Sequence, residues 1–206
     1  MKKVILMSFQ STPAFNIMTL LKSLELRTRV PKDYVGWIYG YVTKAKPYLH
    51  RLKDWQPEES LYDEYQIGNY NDTKYSDILN GTIPFRFWFD ESETIYYAST
   101  LHSTTDGAEY DEEYKTYKTP LTTLLKNACL NYSQLEEYGK EKDLYAMHIK
   151  KLEIFDKPME LGEFCVYKRK TIYSGMDCPP YVDEVKTHLY KAPQSYQFVC
   201  VNEVGK

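Results

Sequence analysis

Residues 2–9 read Lys-Lys-Val-Ile-Leu-Met-Ser-Phe, two lysines followed by a short apolar run. Its apolar part is shorter than the central region of a secretory leader, and no small residues follow that would form a cleavage site. A short apolar run of this kind is typical of a buried strand. We therefore predict a buried β-strand over residues 2–9.

A helix and a second strand are predicted directly after it. Thr12-Pro13 has the pattern of an N-cap followed by proline at the first helical position. Apolar residues then recur at helical spacing to about Lys22. Residues 23–27, Ser-Leu-Glu-Leu-Arg, alternate strictly, and a strand sends successive side chains to opposite faces. We expect the two leucines in the core and Glu25 and Arg27 together on the other face.

The rest of the chain predicts more strands than helices. Strands are expected at 35–43, 82–89, 144–155, 163–169 and 196–201, and Pro84 places the strand 82–89 at an edge or bulge. One helix is expected from Thr119-Pro120 to about Ala128. Another is expected from the capping-box pattern Ser133–Glu136 to Gly139. Neither βαβ alternation nor a glycine-rich phosphate loop appears. The pattern predicts a single α+β domain over residues 1–206, a small mixed β-barrel with flanking helices and polar insertions at about 50–80 and 98–140.

Composition excludes several classes of protein. The 206 residues are 43% hydrophobic, enough for a real core, yet no apolar run approaches the length of a membrane-spanning helix. Four cysteines lie without the spacing of a zinc site or a disulfide framework. We expect a cytoplasmic protein with no membrane partner, no metal and no organic cofactor.

Charge is distributed unevenly. Residues 22–53 carry eight basic side chains against two acidic ones, whereas residues 54–113 carry fifteen Asp and Glu against two basic ones. The chain also has 21 tyrosines, whose rings and hydroxyls suit wet recognition surfaces. The pattern favours a basic working face and a separate acidic segment, although charged blocks are also ordinary solvated surface.

Candidate site residues follow from these patterns. Lys22, Glu25 and Arg27 could bind a phosphate or a base edge, act as a base and its partner carboxylate (Lys22 and Glu25), or form a salt-bridged rim. A basic turn at Thr43, Lys44 and Lys46 lies among tyrosines, a combination that suits phosphates and stacked bases. The remaining candidates for nucleic-acid or nucleotide binding are Ser8, Gln10, His148, Gln194 and Ser195.

Several motifs, in order along the chain, resemble the ASCH family of PUA-like domains, with phage-borne members the most similar. They are Leu6-Met7-Ser8-Phe9, Lys22-Ser23-Leu24-Glu25-Leu26-Arg27, Tyr41-Val42-Thr43-Lys44-Ala45-Lys46-Pro47-Tyr48, Asn80-Gly81-Thr82-Ile83, Tyr145-Ala146-Met147-His148-Ile149 with Ile154-Phe155-Asp156-Lys157-Pro158, and Lys191-Ala192-Pro193-Gln194-Ser195-Tyr196. The chain departs from the family pattern at Gln10 (usually lysine), Leu20 (usually glycine) and Met147 (usually tryptophan).

The resemblance implies a barrel cleft that accepts RNA or a modified nucleotide without a cofactor. A related amidohydrolase acts on an acetylated pyrimidine nucleoside through a lysine, a threonine and a glutamate; Lys22 matches that lysine, but Glu25 stands at the threonine position. A hydrolase acting on nucleic acids or nucleosides is one alternative. A phage protein that binds a basic host protein through the acidic segment 54–113 is another.

Overall fold

The computed structural model describes residues 2–56, 60–71, 73–95, 119–172 and 181–201. Within these ranges the strands are β1 (Lys2–Phe9), β2 (Leu24–Arg27), β3 (Gly36–Val42), β4 (Tyr48–Leu52), β5 (Tyr65–Gly68), β6 (Ser76–Ile78), β7 (Ile83–Phe89), β8 (Ser92–Ile95), β9 (Leu144–His148), β10 (Lys150–Met159), β11 (Phe164–Ile172), β12 (Tyr181–His188) and β13 (Tyr196–Val201). The helices are α1 (Ser11–Met18), α2 (Leu61–Glu64), α3 (Leu121–Ala128) and α4 (Tyr132–Gly139), with a 3-10 turn at Leu161–Glu163. The fold is α+β and consists mostly of strands.

Seven strands form the main sheet, in the order β10-β7-β3-β1-β13-β11-β12. The predicted first strand is its centre: β1 pairs in parallel with β3 and antiparallel with β13. The sheet curls, so that Phe155 of β10 and Phe164 of β11 both contact Tyr39 of β3. The centre of the Tyr39 ring lies 6.1 Å from that of Phe155 and 5.2 Å from that of Phe164. One of the cores fills the inside of this curl.

The predicted closed barrel is not what the described strands form. They make three separate sheets, and none of these closes on itself. Closure of the main sheet would require its two end strands, β10 and β12, to pair with each other. β12, a strand that the sequence reading missed, instead pairs with β11 alone among the described strands.

Two smaller sheets cover the outside of the main one. The sheet β5-β4-β6 spans residues 48–78 and so covers most of the segment of about 50–80, where we expected a partly irregular insertion. It packs Leu49 and Tyr65 into the same core as α1 and β1. The sheet β2-β9-β8 packs the two leucines of β2 against α3 and α4 in a third core. These leucines are buried, as predicted.

Element ends differ from the expectations in detail. Helix α1 starts at Ser11 after Gln10, and it ends at Met18 because the chain turns at Leu20, which has a φ of 61°. The capping box of α4 is made by Asn131 and Gln134, two residues before the predicted one. Strand β7 is not at an edge, but the register of its partner β10 shifts between Ile154 and Met159, beside Pro84, as a bulge would require.

The second expected insertion, 98–140, lies partly outside the described residues and otherwise forms α3 and α4. The acidic segment 54–113 also extends beyond them. Among the residues that the structure describes, no helix is long and apolar enough to cross a bilayer.

Candidate nucleic-acid interface

The carboxyl end of β1 is where several predicted site residues meet. The main-chain N–H of Ser8 donates to the carbonyl of Ser195 at 2.9 Å, and its hydroxyl donates to the carbonyl of Pro193 at 2.6 Å. The carbonyl of Phe9 accepts a 2.8 Å hydrogen bond from the N–H of Thr43. The segments around Ser195 and Thr43 are therefore fixed against the same end of β1. We call the set Ser8–Ser11, Lys22, Glu25, Arg27, Thr43–Pro47 and Pro193–Ser195 the β1-end site.

A buried ion-pair network forms one side of this site. The Glu25 carboxylate lies between two cations, with Oε2 2.9 Å from Lys22 Nζ and Oε1 2.8 Å from Arg27 Nε. Arg27 Nη2 also donates to the carbonyl of Ser8 at 2.7 Å, and its guanidinium lies 4.9 Å from the centre of the Phe9 ring. Glu25 lies on the face opposite the core leucines, as expected, but it is nevertheless buried, and burial is possible because both neighbouring cations are close enough to neutralise it.

Lys22 is held in place through its main chain. Its N–H donates to the carbonyl of Asn16 at 2.8 Å, which ties it to α1. The next residue, Ser23, donates its N–H to Asn127 at the end of α3, and the Cys129 thiol contacts the carbonyl of Leu21 at 3.2 Å. Lys22 is only 7% exposed. Its ammonium is therefore fixed against Glu25 rather than extended into solvent.

The basic turn is built around one amide side chain, that of Asn80. Its Nδ2 donates to the carbonyls of Thr43 at 2.8 Å and Ala45 at 2.9 Å, while its Oδ1 accepts the N–H of Leu49 at 2.7 Å. The turn is further joined to α1 by Ser11, whose hydroxyl donates to the Pro47 carbonyl at 2.5 Å. The turn therefore has a fixed shape. Both of its lysines are exposed, and the Lys46 ammonium lies 5.7 Å from the centre of the Tyr48 ring.

Tyr138 of α4 adds an aromatic ring to the site. Its hydroxyl hydrogen-bonds the Arg27 side chain, and burial raises the pKa of Tyr138 while the charge of Arg27 opposes that shift. The residue as a whole is still 43% exposed. Sequence reasoning missed Tyr138 because no local pattern links it to Arg27. Asn80 could have been found as a turn residue from its Asn-Gly pair.

The predicted site residues divide into three groups. Ser8, Lys22, Glu25 and Arg27 form the buried part, while Gln10, Lys44, Lys46 and Gln194 are exposed around it, with Thr43 and Ser195 half-buried. His148 is the exception. It lies opposite Leu24, so it shares a face with that leucine and not with Glu25, and its Nε2 contacts Glu93 at 2.8 Å.

The chemistry of the site is that of a cationic, amide-lined surface. Within the described ranges, no group of His, Cys, Asp and Glu side chains could hold a metal ion. The exposed lysines can bind anions, and the exposed glutamine amides can both donate and accept hydrogen bonds.

Comparisons with known proteins find similarity among solved structures. No family model matches the chain, and no curated protein matches it. Among solved structures, the chain is similar to an ASCH protein from Zymomonas mobilis at 12% identity, with a TM-score of 0.44 over 77% of this chain and 73% of that one. A serine-to-alanine variant of the same protein has a TM-score of 0.49, also at 12% identity, over 95% of this chain and 87% of that one.

Proposed function

We propose that this chain is an ASCH-type, PUA-like domain that binds RNA or a modified nucleotide at the β1-end site. The observation that carries the proposal is the convergence of separate cationic segments on Ser8–Ser11. Arg27 reaches Ser8 from β2, and the turn that bears Lys44 and Lys46 is fastened to Phe9 and Ser11.

Each exposed group has a part in this proposal. Lys44 and Lys46 neutralise phosphates, which supplies affinity without sequence preference. The exposed amides of Gln10 and Gln194 hydrogen-bond base edges, and the Tyr138 ring offers a face on which a base can stack. A single strand or an extruded base suits such a surface better than a duplex does.

The buried network has a positioning role in the same proposal. Because Lys22 and Glu25 contact each other away from solvent, we assign them to holding Arg27 and the end of β1 in place. This assignment favours binding over hydrolysis, since a general base must reach the proton that it removes.

A fluorescence titration with short single-stranded RNA at several salt concentrations tests the proposal. Affinity should fall as the salt concentration rises. The double variant Lys44→Glu, Lys46→Glu should bind more weakly than the wild type. Its plot of log binding constant against log salt concentration should have a slope shallower by roughly 1.4, since each lost phosphate contact removes about 0.7. The matched control is Lys151→Glu, Lys157→Glu, which makes the same change of charge on exposed lysines of β10 and should leave binding little changed.

Two outcomes would count against it. If the wild-type protein binds no RNA at low salt and carries no nucleotide in a native mass spectrum, the β1-end site is not a nucleic-acid interface. If both double variants lose affinity equally, binding depends on net charge alone and not on the basic turn.

A further inference from the structure

Strand β12 ends the main sheet and leaves one edge without a described partner. On its other side it pairs with β11 in continuous register, from Cys165 opposite His188 to Ile172 opposite Tyr181. Only Phe164 and Cys165 of β11 also pair with β13, so most of this hairpin projects beyond the rest of the sheet. Unpaired backbone N–H and C=O groups along such an edge can accept another strand.

The opposite edge of the sheet is protected in a way that β12 is not. Strand β10 has two register shifts against β7 and contains Pro158, and bulges and prolines both hinder the addition of a strand. β12 has an unbroken register and no proline. It also exposes two β-branched residues, Val182 (63% exposed) and Val185 (38% exposed). Residues of this type favour pairing with a further strand.

The charges along β12 fit a second copy of the same strand. In an antiparallel pair related by a two-fold axis, the residue on the axis lies opposite its own copy. Axes at Asp183, Glu184 or Lys186 would place like charges opposite each other. An axis at Val185 pairs residues 182–188 of both copies and sets each Glu184 opposite a Lys186.

The neighbouring contacts leave these charges available. The described ion pair of Glu184 is a long one, 3.8 Å from Arg169 Nε, and both side chains are largely exposed. Within the strand, the main-chain N–H of Glu184 donates to Asp183 Oδ1 at 2.8 Å. The other described hydrogen bonds near β12 lie at its carboxyl end, where His188 Nδ1 donates to the Gly162 carbonyl and Leu189 donates its N–H to the Phe164 carbonyl. The carboxyl-end bonds hold the base of the hairpin, and none of these bonds uses the Glu184 carboxylate or the Lys186 ammonium.

We propose that the free edge of β12 is a homodimer interface, in which two copies pair antiparallel about an axis at Val185. The main sheet then continues from one copy into the other, and two Glu184–Lys186 pairs flank a Val185 pair. Opposite charges placed across strands stabilise the pairing and fix its register. This inference is independent of the proposed RNA binding, because β12 contributes nothing to the β1-end site.

Sedimentation velocity over a concentration series tests the interface. The wild-type chain should move from monomer to dimer as its concentration rises. Glu184→Lys sets lysine opposite lysine and Lys186→Glu sets glutamate opposite glutamate, so each single variant should stay monomeric. The double variant Glu184→Lys, Lys186→Glu restores opposite charges and should recover the dimer. Lys157→Glu, on the protected edge, is the control and should behave as the wild type.

A second measurement covers the case in which a hairpin variant fails to fold. In the wild-type protein, amide exchange over residues 182–188 should slow as concentration rises, while exchange in β10 should not. A wild-type protein that is monomeric throughout would overturn the proposal and leave the edge to a different partner. A dimer that survives both single variants, or a double variant that stays monomeric, would place the contact elsewhere.

Discussion

Arg27 Nη2 donates a 2.7 Å hydrogen bond to the carbonyl oxygen of Ser8, a residue that precedes it by 19 positions. This bond joins the central strand of the main sheet to a strand of a different sheet. The same guanidinium is paired with Glu25 and rests against Phe9. One side chain therefore links two cores of the molecule, and its orientation depends on a buried carboxylate.

Glu25→Gln should strongly destabilise the protein. The substitution keeps the shape of the side chain but leaves Lys22 and Arg27 buried without a counter-charge, which we expect to lower the free energy of unfolding by about 3–5 kcal/mol. Urea denaturation measures this. Glu153→Gln is the control, because its pair with Arg86 is half-exposed, and it should cost about 1 kcal/mol or less. Equal effects of the two variants would contradict the role given to Glu25.

Gly40→Ala should destabilise the core. A Cβ at Gly40 would overlap the ring of Phe85, which is fully buried. Overpacking of this kind costs about 1–3 kcal/mol. Gly162→Ala is the matched control, since a Cβ there meets nothing within 4 Å. Thermal unfolding should show a clear fall in Tm for the first variant only; a Tm unchanged in both would mean that Phe85 can be displaced at little cost.

Asn80→Ala should disorder the basic turn. It removes the donor to Thr43 and Ala45 and the acceptor for Leu49, so we expect a loss of about 2–4 kcal/mol in the free energy of unfolding. Asn131→Ala, which removes only a helix capping box, should cost about 1 kcal/mol. RNA affinity should fall in the first variant and not in the second, even where both are folded. The reverse order of stabilities would show that Asn80 does not shape the turn.

Stability should fall as the pH drops through the range in which histidine titrates. His50 is fully buried, with Nδ1 2.9 Å from the Ser76 hydroxyl, and burial lowers its pKa below the ordinary value of about 6.5. Below that value the unfolded chain binds a proton at His50 that the folded chain does not, so the free energy of unfolding decreases with falling pH.

Chemical denaturation at a series of pH values measures this effect. Because carboxylates also titrate at lower pH, the comparison is with His50→Gln, whose stability should depend less on pH between about 7 and 5. Parallel curves for the two proteins would mean that His50 is not the group responsible.

The strands that carry the main core could be predicted from the sequence, whereas their partners could not. Apolar runs predict β1 and β3 because both strands are buried on both faces along most of their length, and β13 because its Val199 and Val201 are buried. β12 is polar and exposed, and only its pairing with β11 makes it a strand. Burial of a polar residue such as His50, within a segment read as irregular, depends in the same way on the strands beside it.

The candidate site shows the same division. The alternation in β2 predicts that Glu25 and Arg27 share a face, and Lys22 is only three residues from Glu25. The contact of Arg27 with Tyr138 of α4 could not be predicted in this way, because α4 is distant in the sequence. The motif Tyr145–Ile149 is the reason for including His148 among the candidate site residues. The actual face of His148 is set by the register of β9 against β2, and a one-residue difference in register reverses that face.

The hydrogen bonds of Asn80 also bear on its deamidation, a slow chemical change of asparagine side chains. An asparagine followed by glycine loses ammonia readily in a flexible chain, when the glycine nitrogen attacks the side-chain amide. Here the Gly81 N–H donates to Val42 at 2.7 Å and the amide of Asn80 is held by its own partners, so the folded molecule keeps the two groups from reacting. Deamidation of Asn80 should therefore occur mainly in unfolded molecules, and its extent should increase with the time that the chain spends unfolded. A chain deamidated at Asn80 should also refold to a less stable structure, because the new carboxylate would face the carbonyl oxygens to which the amide had donated.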